Sequence, residues 1–497
     1  MQLPSAFAGE TPLPILERFA PLFSPRSIAV VGASSGASAA GNVFIRQQQE
    51  FGFTGSIYPI HPSAAAIAGL RAYKSIADVP EPIDYAFVAV GAHQVPAVIA
   101  SMAGRVRFAQ VISSGFGEVA GGAAREQALL EAARRSNVRV IGPNCLGTYS
   151  PRGHLTFTER LPQDHGAIGI VSQSGGLSVD IVLRGKSRGL RFRGLVSIGN
   201  GVDLATAELL EYYLADPETE TVGLYLESVR DGRRLFEVLR CARAAKPVVI
   251  LRGGRTRQGA LAAVSHTGAL AADQRVWAAF ARQTGCVFAQ TLDQFIDVLL
   301  IFQMLAPRIA HPTSRIVLFG NGGGTSVLAA DCFAEAGLDV SAFEPQLQAQ
   351  LASLRLPAGS SVANPIDMPG SALEKEGGRI AERVLDGVLA EGRPDALVMH
   401  LNATAIVNRG PDLLGNLINA VKRVQSKYPG RTHLMLVLRS DGDPAVEEMK
   451  RAYRQQLLAE GIPVFDEMPQ AAQALSALCE FERFRYRRDA STINPVG

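Results

Sequence analysis

One histidine, His266, lies in a segment whose residue types suit covalent phosphoryl transfer. It follows an apolar run that ends at Leu251 and a loop that contains Gly254 and Gly259, and Gly268 stands two residues after it. Glycines on both sides are typical of a histidine that must move or lie close to a helix end. Near neutral pH a ring nitrogen of imidazole is free as a nucleophile, so His266 could accept a phosphoryl group. A solvated loop histidine is the alternative interpretation.

A carboxylate that could support this histidine is Glu227, which ends the apolar run TVGLYLES. A residue at the carboxyl end of a parallel strand faces the usual ligand crevice. There Glu227 could hold the second imidazole nitrogen of His266, which would fix the tautomer and stabilise the charge of a phosphohistidine. A capping or salt-bridged glutamate explains the position equally well.

Two glycine-rich turns, each between an apolar run and a helical segment, could bind phosphate. The free N–H groups and the dipole of a helix N-terminus favour an anion, and glycine permits its close approach. GIVSQSGGLSVDIV and IVLFGNGGGTSVLAAD share this plan, which duplicated folds would also explain, and an ordinary serine-capped turn is the alternative for the first. The residues predicted to bind phosphate are Ser172, Gln173, Ser174, Gly175 and Gly176 in the first turn and Asn321, Gly322, Gly323 and Gly324 in the second.

A third turn, VVGASSGASAAG, follows the first apolar run. Its spacing is not GxGxxG, and the next predicted strand ends at His61 rather than at an acidic residue that would bind a ribose 2′-hydroxyl. NAD is therefore disfavoured. Coenzyme A, which carries adenosine and pyrophosphate, suits the same helix N-terminus better, and a packing turn without a ligand is the alternative.

Asn144 and Cys145 follow another predicted strand, in the segment GPNCLG. No base lies near Cys145 in sequence, so we expect this cysteine to serve structure or ligand contact rather than nucleophilic catalysis. No metal site is predicted, because the remaining histidines show no ligand spacing. They are His93, His154, His165, His311, His400 and His433.

The elements that must position these residues are short apolar runs that alternate with helical segments. This rhythm predicts an α/β protein with parallel sheets covered on both faces, and three successive series each have enough strands for a doubly wound sheet. The predicted strands are SIAVVGAS, YAFVAVGA, AQVISSG and VRVIGPN, then AIGIVSQ, GLVSIGN, TVGLYLES, PVVILRGG and CVFAQ, then RIVLFGN, LDVSAF, ALVMHLN, HLMLVLRS and PVFDE.

Composition limits the class of protein. The 497 residues suit three domains, and 47% hydrophobic against 19% charged residues indicates a well-buried globular chain. A net charge of +3 without a basic stripe disfavours nucleic-acid binding. Five scattered cysteines predict neither disulfides nor zinc and favour a reducing cytoplasm. We expect no signal peptide and no membrane span, since no apolar run approaches the required ~18 residues.

Taken together, these segments resemble the nucleoside-diphosphate-forming acyl-CoA synthetases, the superfamily of ADP-forming acetyl-CoA synthetase and succinyl-CoA synthetase. The resemblance runs from about Ser27 to Asp367 in the family's order, and weaker likeness continues beyond. SHTGALA combined with GPNCLG and SQSG makes it specific. The other matching segments are SIAVVGAS, GSIYPIHP, ISSGFGE, VSIGNGVDL, YLESVRDGRR, NGGGTSVLAADCFAEAGL and NPIDMPG.

The resemblance implies three doubly wound domains: a CoA-binding Rossmann-like domain over residues 15–150, a flavodoxin-like domain with the phosphohistidine over 160–305, and a second flavodoxin-like ligase domain over 312–485. It implies that His266 carries the phosphoryl group, that Glu227 supports it, and that the two glycine-rich helix N-termini clamp the phosphate. The implied CoA-binding residues are Gly32, Ala33, Ser34, Ser35, His61, Val90, Ser113, Gly115, Asn144 and Cys145.

The implied reaction has three steps: a carboxylate attacks phosphohistidine to give an acyl phosphate, the CoA thiol attacks the acyl carbon, and ATP rephosphorylates the histidine. We identify no ATP-grasp region, so ATP, ADP and Mg²⁺ are expected on a separate subunit, and the family favours dimers and α₂β₂ assemblies. Family members often carry a basic residue where this chain reads SSGASAAG, so binding of the CoA pyrophosphate is expected to differ in strength or geometry.

Two other functions fit parts of the same pattern. A CoA- or acyl-CoA-binding regulatory protein would keep the scaffold without the reaction, although such a sensor has no need of His266. An NAD-dependent oxidoreductase is disfavoured by the absence of an acidic residue after the second predicted strand.

Overall fold

The computed structural model describes residues 14–36, 38–267 and 274–493, with side chains for all of these except residues 263–267 and 491–493. The chain divides into two compact units, Met1–Leu292 and Asp293–Gly497. None of the described helices combines the length and the apolar composition that crossing a membrane requires.

The first unit begins with a parallel sheet whose central strands are apolar on both faces because helices cover both. Its strands are β1 (Ser27–Val31), β2 (Ser56–Ile60), β5 (Ile83–Val88), β6 (Val106–Val111) and β7 (Arg139–Ile141), and β3 (Ala66–Ile67) with β4 (Leu70–Arg71) forms a separate small hairpin. Its helices are α1 (Ile15–Phe23), α2 (Ala40–Glu50), α3 (Val95–Ala100) and α4 (Ala123–Ser136).

The second sheet belongs to the same unit and is parallel except for one edge strand. Its strands are β8 (Gly147–Tyr149), β9 (Ile168–Ser172), β10 (Phe192–Ser197), β11 (Thr221–Leu226), β12 (Val248–Arg252) and β13 (Val287–Ala289). Its helices are α5 (Gly175–Ser187), α6 (Thr206–Ala215), α7 (Gly232–Ala242), α8 (Arg257–Thr267) and α9 (Gln274–Thr284). β8 pairs antiparallel with β10, so residues predicted to close the first domain contribute to the second sheet.

One apolar core spans both sheets of the first unit. Phe23, at the end of α1, stacks on Tyr212 of α6 with ring centroids 4.4 Å apart, and Phe19 is fully buried beside them. Burial of a large side chain stabilises the fold by about 1.5–3 kcal/mol. This shared core therefore holds the two sheets of the first unit in a defined relation.

The second unit carries the third sheet, which is parallel throughout. Its strands are β14 (Ile316–Gly320), β15 (Ile366–Asp367), β16 (Ala396–Asn402), β17 (His433–Arg439) and β18 (Val464–Phe465). Its helices are α10 (Leu292–Met304), α11 (Gly323–Glu335), α12 (Pro345–Ser353), α13 (Gly370–Leu373), α14 (Arg379–Gly387), α15 (Ala403–Val407), α16 (Leu413–Lys427), α17 (Pro444–Ala459) and α18 (Met468–Ile493).

One strand prediction in this unit is wrong. The segment LDVSAF makes only an isolated bridge between Asp339 and Arg315, and β15 is the edge strand instead. The amide of Asn364 occupies the edge of β14: its Oδ1 accepts the N–H of Leu318 at 3.0 Å, and its Nδ2 donates to the carbonyl of Ile316 at 2.8 Å. A side chain thus takes the backbone groups that a strand at LDVSAF would have needed.

All three sheets have the same strand order. Counted in chain order among the parallel strands, the sheets β2-β1-β5-β6-β7, β10-β9-β11-β12-β13 and β15-β14-β16-β17-β18 all read 2-1-3-4-5. In this doubly wound order a crevice opens at the carboxyl ends of the first and third strands, where ligands bind. The predicted α/β class with parallel sheets is confirmed, while the domain limits 15–150, 160–305 and 312–485 stay predictions.

Candidate active site

The crevice of the second sheet lies between β9 and β11, and the side chain of Gln173 joins the segments that follow these two strands. Its Oε1 accepts the backbone N–H groups of Glu227 and Ser228 at 2.5 and 2.9 Å, and its Nε2 donates to the carbonyl of Ser228 at 2.8 Å. Three hydrogen bonds from one amide fix the start of α5 relative to the end of β11. Gln173, predicted to bind phosphate, therefore uses its side chain to position other groups.

The N-terminus of α5 is built from small residues, as the sequence predicts. Ser174 caps the helix by accepting the N–H of Leu177 at 3.3 Å, and the fully buried Ser172 donates to the carbonyl of Ser174 at 2.9 Å. A Cβ added at Gly176 would meet no atom within 4 Å, so the first helical turn is open on that side. Because first-turn N–H groups have no intrahelical acceptor, this end of the helix can bind an anion.

A cavity of about 310 Å³ adjoins this helix end and joins it to the first sheet. Besides the turn from Gln173 to Gly176, its walls include Asn144 and Cys145, which follow β7. Asn144 adopts the left-handed conformation with φ 58°, and its N–H donates to the carbonyl of Ser113 at 3.0 Å. Residues predicted to bind phosphate and residues predicted to bind CoA thus line one cavity.

Four residues that line this cavity were not predicted from the sequence: Ile112, Leu146, Gly199 and Asn200. Gly199 has φ 52°, and a Cβ there would lie 2.3 Å from the carbonyl oxygens of Pro143 and Asn144, so only glycine fits. The segment VSIGNGVDL carried the signal, since its Gly-Asn-Gly turn directly follows an apolar run.

Asn200 connects the cavity to the loop after β6. Its amide donates to Glu118 at 2.6 Å and to Glu126 at 3.3 Å, and Glu126 pairs with Arg230 at 2.6 Å. Burial alone would raise the pKa of Glu118, but hydrogen bonds from Asn200 and from backbone N–H groups outweigh burial and hold that pKa below its ordinary value. The ionised network keeps the loop against the cavity wall.

Cys145 is a buried thiol in this wall. Its sulfur lies 3.5 Å from the carbonyl oxygens of Val111 and Ile141, and the residue is 3% exposed. Burial raises the pKa of the Cys145 thiol to about 12, so the thiolate needed for nucleophilic attack does not form at neutral pH.

The first glycine turn is held by close packing. Gly32 has φ 100°, and a Cβ there would lie 2.2 Å from the carbonyl oxygen of Ala89. Asn42 of α2 is buried and stabilises the turn through two hydrogen bonds. Its Oδ1 accepts the N–H of Ser34 at 2.9 Å, and its Nδ2 donates to the carbonyl of Ser34 at 2.7 Å. Ala33 is buried, whereas Ser35 is exposed beside the helix N-terminus.

The other predicted CoA-binding residues follow the carboxyl ends of neighbouring strands of the first sheet. His61, after β2, accepts the N–H groups of Ser63 and Ala64 on Nδ1 at 3.2 and 2.9 Å. The hydroxyl of Ser113 donates to the carbonyl of Val90 at 2.5 Å, which ties the loops after β6 and β5 together. The topology therefore brings these residues to one edge of the sheet, next to the turn at Gly32.

Glu227 lies at the carboxyl end of β11, as predicted, and accepts a hydrogen bond from the hydroxyl of Tyr225 at 3.0 Å. The backbone of His266 belongs to α8, but its side chain lies outside the described residues, as does Gly268. The pairing of Glu227 with His266 therefore stays a prediction.

The second predicted phosphate turn repeats the plan of the first within the other unit. Asn321 follows β14, and its Oδ1 accepts the N–H of Asn402, at the end of β16, at 2.8 Å. A carboxylate lies at this helix N-terminus, since a Cβ on Gly323 would be 3.4 Å from Oδ2 of Asp367. Burial raises the pKa of Asp367, and this outweighs the lowering by the N–H of Gly322 and the hydroxyl of Ser326.

Among the described residues, no group of three or more His, Cys, Asp and Glu side chains is arranged to hold a metal ion.

Comparison with known proteins accounts for both sheets of the first unit. Residues 26–151 match the family described as a CoA binding domain, and residues 165–302 match the succinyl-CoA ligase like flavodoxin domain. The predicted CoA-binding and flavodoxin-like folds are thereby confirmed.

Relatives of known name cover almost the entire chain. The chain is 31% identical over 475 residues to the α subunit of acetate–CoA ligase [ADP-forming] I from Pyrococcus furiosus, which covers 93% of this chain and 98% of that one. It is 35% identical over 351 residues to acetate–CoA ligase [ADP-forming] from Methanocaldococcus jannaschii, which covers 70% of this chain but 49% of the longer relative.

A solved structure agrees with these matches. The dinucleotide forming acetyl-coenzyme A synthetase 1 of Ca. Korarchaeum cryptofilum, in complex with phosphate and ADP, superposes with a TM-score of 0.80 at 30% identity and covers 95% of this chain and 98% of that one. The predicted superfamily is thereby confirmed: the chain belongs to the family of ADP-forming acetate–CoA ligase α subunits.

Proposed function

We propose that this chain is the α-type subunit of a nucleoside-diphosphate-forming acyl-CoA synthetase. It would interconvert a carboxylate, CoA and ATP with acyl-CoA, ADP and phosphate through phosphohistidine and an acyl phosphate. The observation that carries the proposal is the single cavity lined both by the α5 N-terminus and by Asn144 after β7. Acyl transfer from phosphate to a thiol requires that the phosphate site and the CoA site open into the same cavity.

In this proposal the glycine-rich turn at the start of α5 and Glu227 both act on the phosphohistidine. His266 carries the phosphoryl group, Glu227 holds the other imidazole nitrogen, and the α5 N-terminus binds the phosphate oxygens. Phosphoryl transfer depends on positioning and charge stabilisation above all, and Gln173 supports both by fixing Glu227 against the helix end. The carboxylate then attacks phosphorus, and neutral imidazole leaves.

Coenzyme A binds at the carboxyl edge of the first sheet. Gly32 permits close approach to the α2 N-terminus, and Ser34 and Ser35 offer polar contacts to the pyrophosphate. No lysine or arginine lies in the turn SSGASAAG, so backbone N–H groups and serine hydroxyls provide the contacts there. The CoA thiol reaches the acyl phosphate by passing Asn144. The thiol of Cys145 is neutral, so this residue lines the cavity without adding a charge.

The second glycine-rich turn, Asn321 to Gly324, is also proposed to bind phosphate. Asp367 bears on this role because an ionised carboxylate at that helix N-terminus opposes an incoming phosphate. Burial raises the pKa of Asp367, and the carboxylate that forms above that pKa is the form that opposes phosphate. We therefore propose the turn as a phosphate site whose strength depends on the protonation of Asp367.

The nucleotide site is proposed on a separate ATP-grasp subunit that binds ATP or ADP with Mg²⁺. Support comes from the P. furiosus relative, which is named a subunit alpha and which this chain covers over 98% of its length, whereas the single-chain M. jannaschii relative is about twice as long as the matched region. A homodimer or an α₂β₂ assembly in the cytoplasm is the arrangement we propose, consistent with five free cysteines.

Phosphorylation of the chain tests the proposal. The purified chain is mixed with an ATP-grasp subunit, labelled ATP and Mg²⁺, and acid-labile label is followed. We expect His266→Ala to abolish labelling and His165→Ala, which changes an exposed histidine of the same sheet region, to leave it intact. Equal labelling of the two variants would disprove the carrier role. Saturable CoA binding without labelling under any partner condition would favour a CoA-binding regulatory protein instead.

A further inference from the structure

The loop after β6 is held in shape by two carboxylates, those of Glu118 and Glu126. Oε1 of Glu118 accepts the backbone N–H groups of Gly115 and Phe116 at 2.5 and 3.2 Å. Oε2 of Glu126 accepts the backbone N–H of Gly117 at 3.1 Å. Because Phe116 is fully buried in the core of the first sheet, its ring also anchors the loop. The conformation of this loop is therefore defined by its own residues.

One side-chain amide joins both carboxylates to the turn after β10. Nδ2 of Asn200 donates to Oε2 of Glu118 at 2.6 Å and to Oε2 of Glu126 at 3.3 Å. The backbone N–H of Asn200 donates to the carbonyl of Pro143, after β7, at 3.0 Å. Asn200 therefore connects the loops after β6 and β7 of the first sheet to the turn after β10 of the second.

A cation and several N–H donors stabilise the two carboxylates. Oε1 of Glu126 pairs at 2.6 Å with the guanidinium of Arg230, in the segment after β11. Burial opposes ionisation of Glu118, but hydrogen bonds from Asn200 and from backbone N–H groups hold its pKa below the ordinary value. An isolated surface ion pair contributes little to stability, so we assign the positioning to the network as a whole and not to Arg230 alone.

The strand order places this loop on the path that a bound coenzyme A follows. In the first sheet β1, β5, β6 and β7 are consecutive neighbours. The turn at Gly32, where we propose that the pyrophosphate binds, follows β1, whereas Asn144, which lines the cavity beside the α5 N-terminus, follows β7. Three strand spacings, roughly 14 Å, separate β1 from β7, so the pantetheine arm must cross the loop after β6. Ile112 of that loop and Asn200 line the same cavity.

We propose that Glu118 and Asn200 are positioning residues for coenzyme A: their hydrogen bond holds the loop after β6 where it supports the pantetheine arm. The inference rests on the proposed function for the orientation of CoA. A loop that is already ordered loses less conformational entropy when a ligand binds, so the bond raises the affinity for the arm. The nucleotide half of CoA binds at the turn after β1 and does not depend on this bond.

Glu118→Gln tests the hydrogen bond with almost no change in shape. The new side chain keeps an acceptor for the N–H of Gly115 but turns an NH₂ group toward Nδ2 of Asn200. The chain is titrated by calorimetry with CoA and with 3′-phospho-ADP, its nucleotide half. We expect CoA to bind at least about fivefold more weakly than to the wild type, and 3′-phospho-ADP to bind equally well. Glu131→Gln, at an exposed position of α4, is the matched control.

Asn200→Asp tests the same hydrogen bond from the other side. It replaces the donor by a carboxylate that repels Glu118 and Glu126, so CoA should again bind more weakly while 3′-phospho-ADP does not. The double variant Glu118→Gln/Asn200→Asp places an NH₂ donor opposite an acceptor, and it should bind CoA more tightly than Asn200→Asp. Thermal unfolding verifies that each variant is folded.

The outcomes separate this proposal from the proposed function. Equal CoA affinity in Glu118→Gln and Glu131→Gln, or an equal loss of CoA and 3′-phospho-ADP affinity, would overturn the positioning role and leave the synthetase function standing. A double variant that binds CoA more weakly than Asn200→Asp would also overturn that role. The expected affinities without turnover of any acid beside an ATP-grasp subunit would support the positioning role and count against the synthetase function.

Discussion

The side-chain amide of Gln173 accepts the backbone N–H of Glu227 at 2.5 Å, across the crevice between the first and third strands of its sheet. Asn321 and Asn402 repeat this relationship in the other unit at 2.8 Å. In both sheets an amide residue directly after the first strand satisfies the N–H at the end of the third. The helix N-terminus and the opposing strand end are thereby positioned before any ligand binds.

Replacing Gln173 by leucine should uncouple these two ends. The change removes three hydrogen bonds and leaves the N–H groups of Glu227 and Ser228 without this acceptor, at a cost of about 1–3 kcal/mol in the free energy of unfolding. We expect acid-labile phosphorylation to fall as well. Denaturant unfolding and labelling measure the two effects, and the exposed Gln127→Leu is the control. Unchanged labelling in a folded Gln173→Leu protein would contradict the positioning role.

Cys145 should resist alkylation while the chain is folded. Burial raises its pKa to about 12, and the same applies to Cys286 and Cys479, whereas Cys241 is exposed. Because the folded pKa lies above the ordinary value of 9.0, stability from these thiols is fully present below pH 9.0 and is lost as the pH rises toward 12. Mass spectrometry after iodoacetamide treatment at neutral pH should find label on Cys241 and none on Cys145. Label on Cys145 at a rate like that of Cys241 would show a reactive thiol.

Removing the charge of Asp367 should strengthen anion binding at the second glycine turn. Asp367→Asn eliminates a carboxylate beside the α11 N-terminus, so inorganic phosphate should bind more tightly. Asp331→Asn, at an exposed position further along the same helix, is the matched control. Calorimetry measures the affinity, and equal phosphate affinity in the two variants would contradict the proposed opposition between the Asp367 carboxylate and phosphate at this turn.

The pH dependence of stability offers a second test of Asp367. Its folded pKa is raised above the ordinary 3.8, so its contribution is present below that pH and is lost as the pH rises through the folded pKa. The stability of Asp367→Asn relative to the wild type should therefore increase from acidic to neutral pH. Denaturant unfolding across this range measures the difference, and a decrease with rising pH would contradict the direction of the shift.

Gly32 should not tolerate a side chain. Alanine there would place Cβ 2.2 Å from a backbone carbonyl oxygen at φ 100°, so the turn must shift, at a cost of about 1–3 kcal/mol, and CoA affinity should fall. Gly410→Ala is the control, because a Cβ there would meet no atom within 4 Å. Thermal unfolding and CoA calorimetry distinguish the two variants. Unimpaired CoA binding in Gly32→Ala would place the ligand elsewhere.

By itself, the sequence determined the class of fold and the strand ends at which ligand-binding and catalytic residues lie. Apolar runs such as SIAVV and IGIVS, which alternate with helical segments, are typical of parallel sheets buried on both faces, and a glycine turn after such a run stands at the carboxyl end of a strand. The positions of Gly32, the Ser172–Gly176 turn, Glu227 and Asn144 follow from these local rules. The order of the motifs from about Ser27 to Asp367 also indicated the family.

Only the tertiary structure decided which of these strand ends lie close enough together to line the same cavity. That the loops after β7 and β9 line one cavity depends on a core shared by two sheets, and no local pattern encodes such a contact. Asn364 displaced the predicted strand at LDVSAF because a side-chain amide competed for backbone hydrogen bonds from a distant position. The cavity of about 630 Å³ between α7 and α9 likewise exists only through the packing of these two helices, since the space between them depends on residues far apart in the chain.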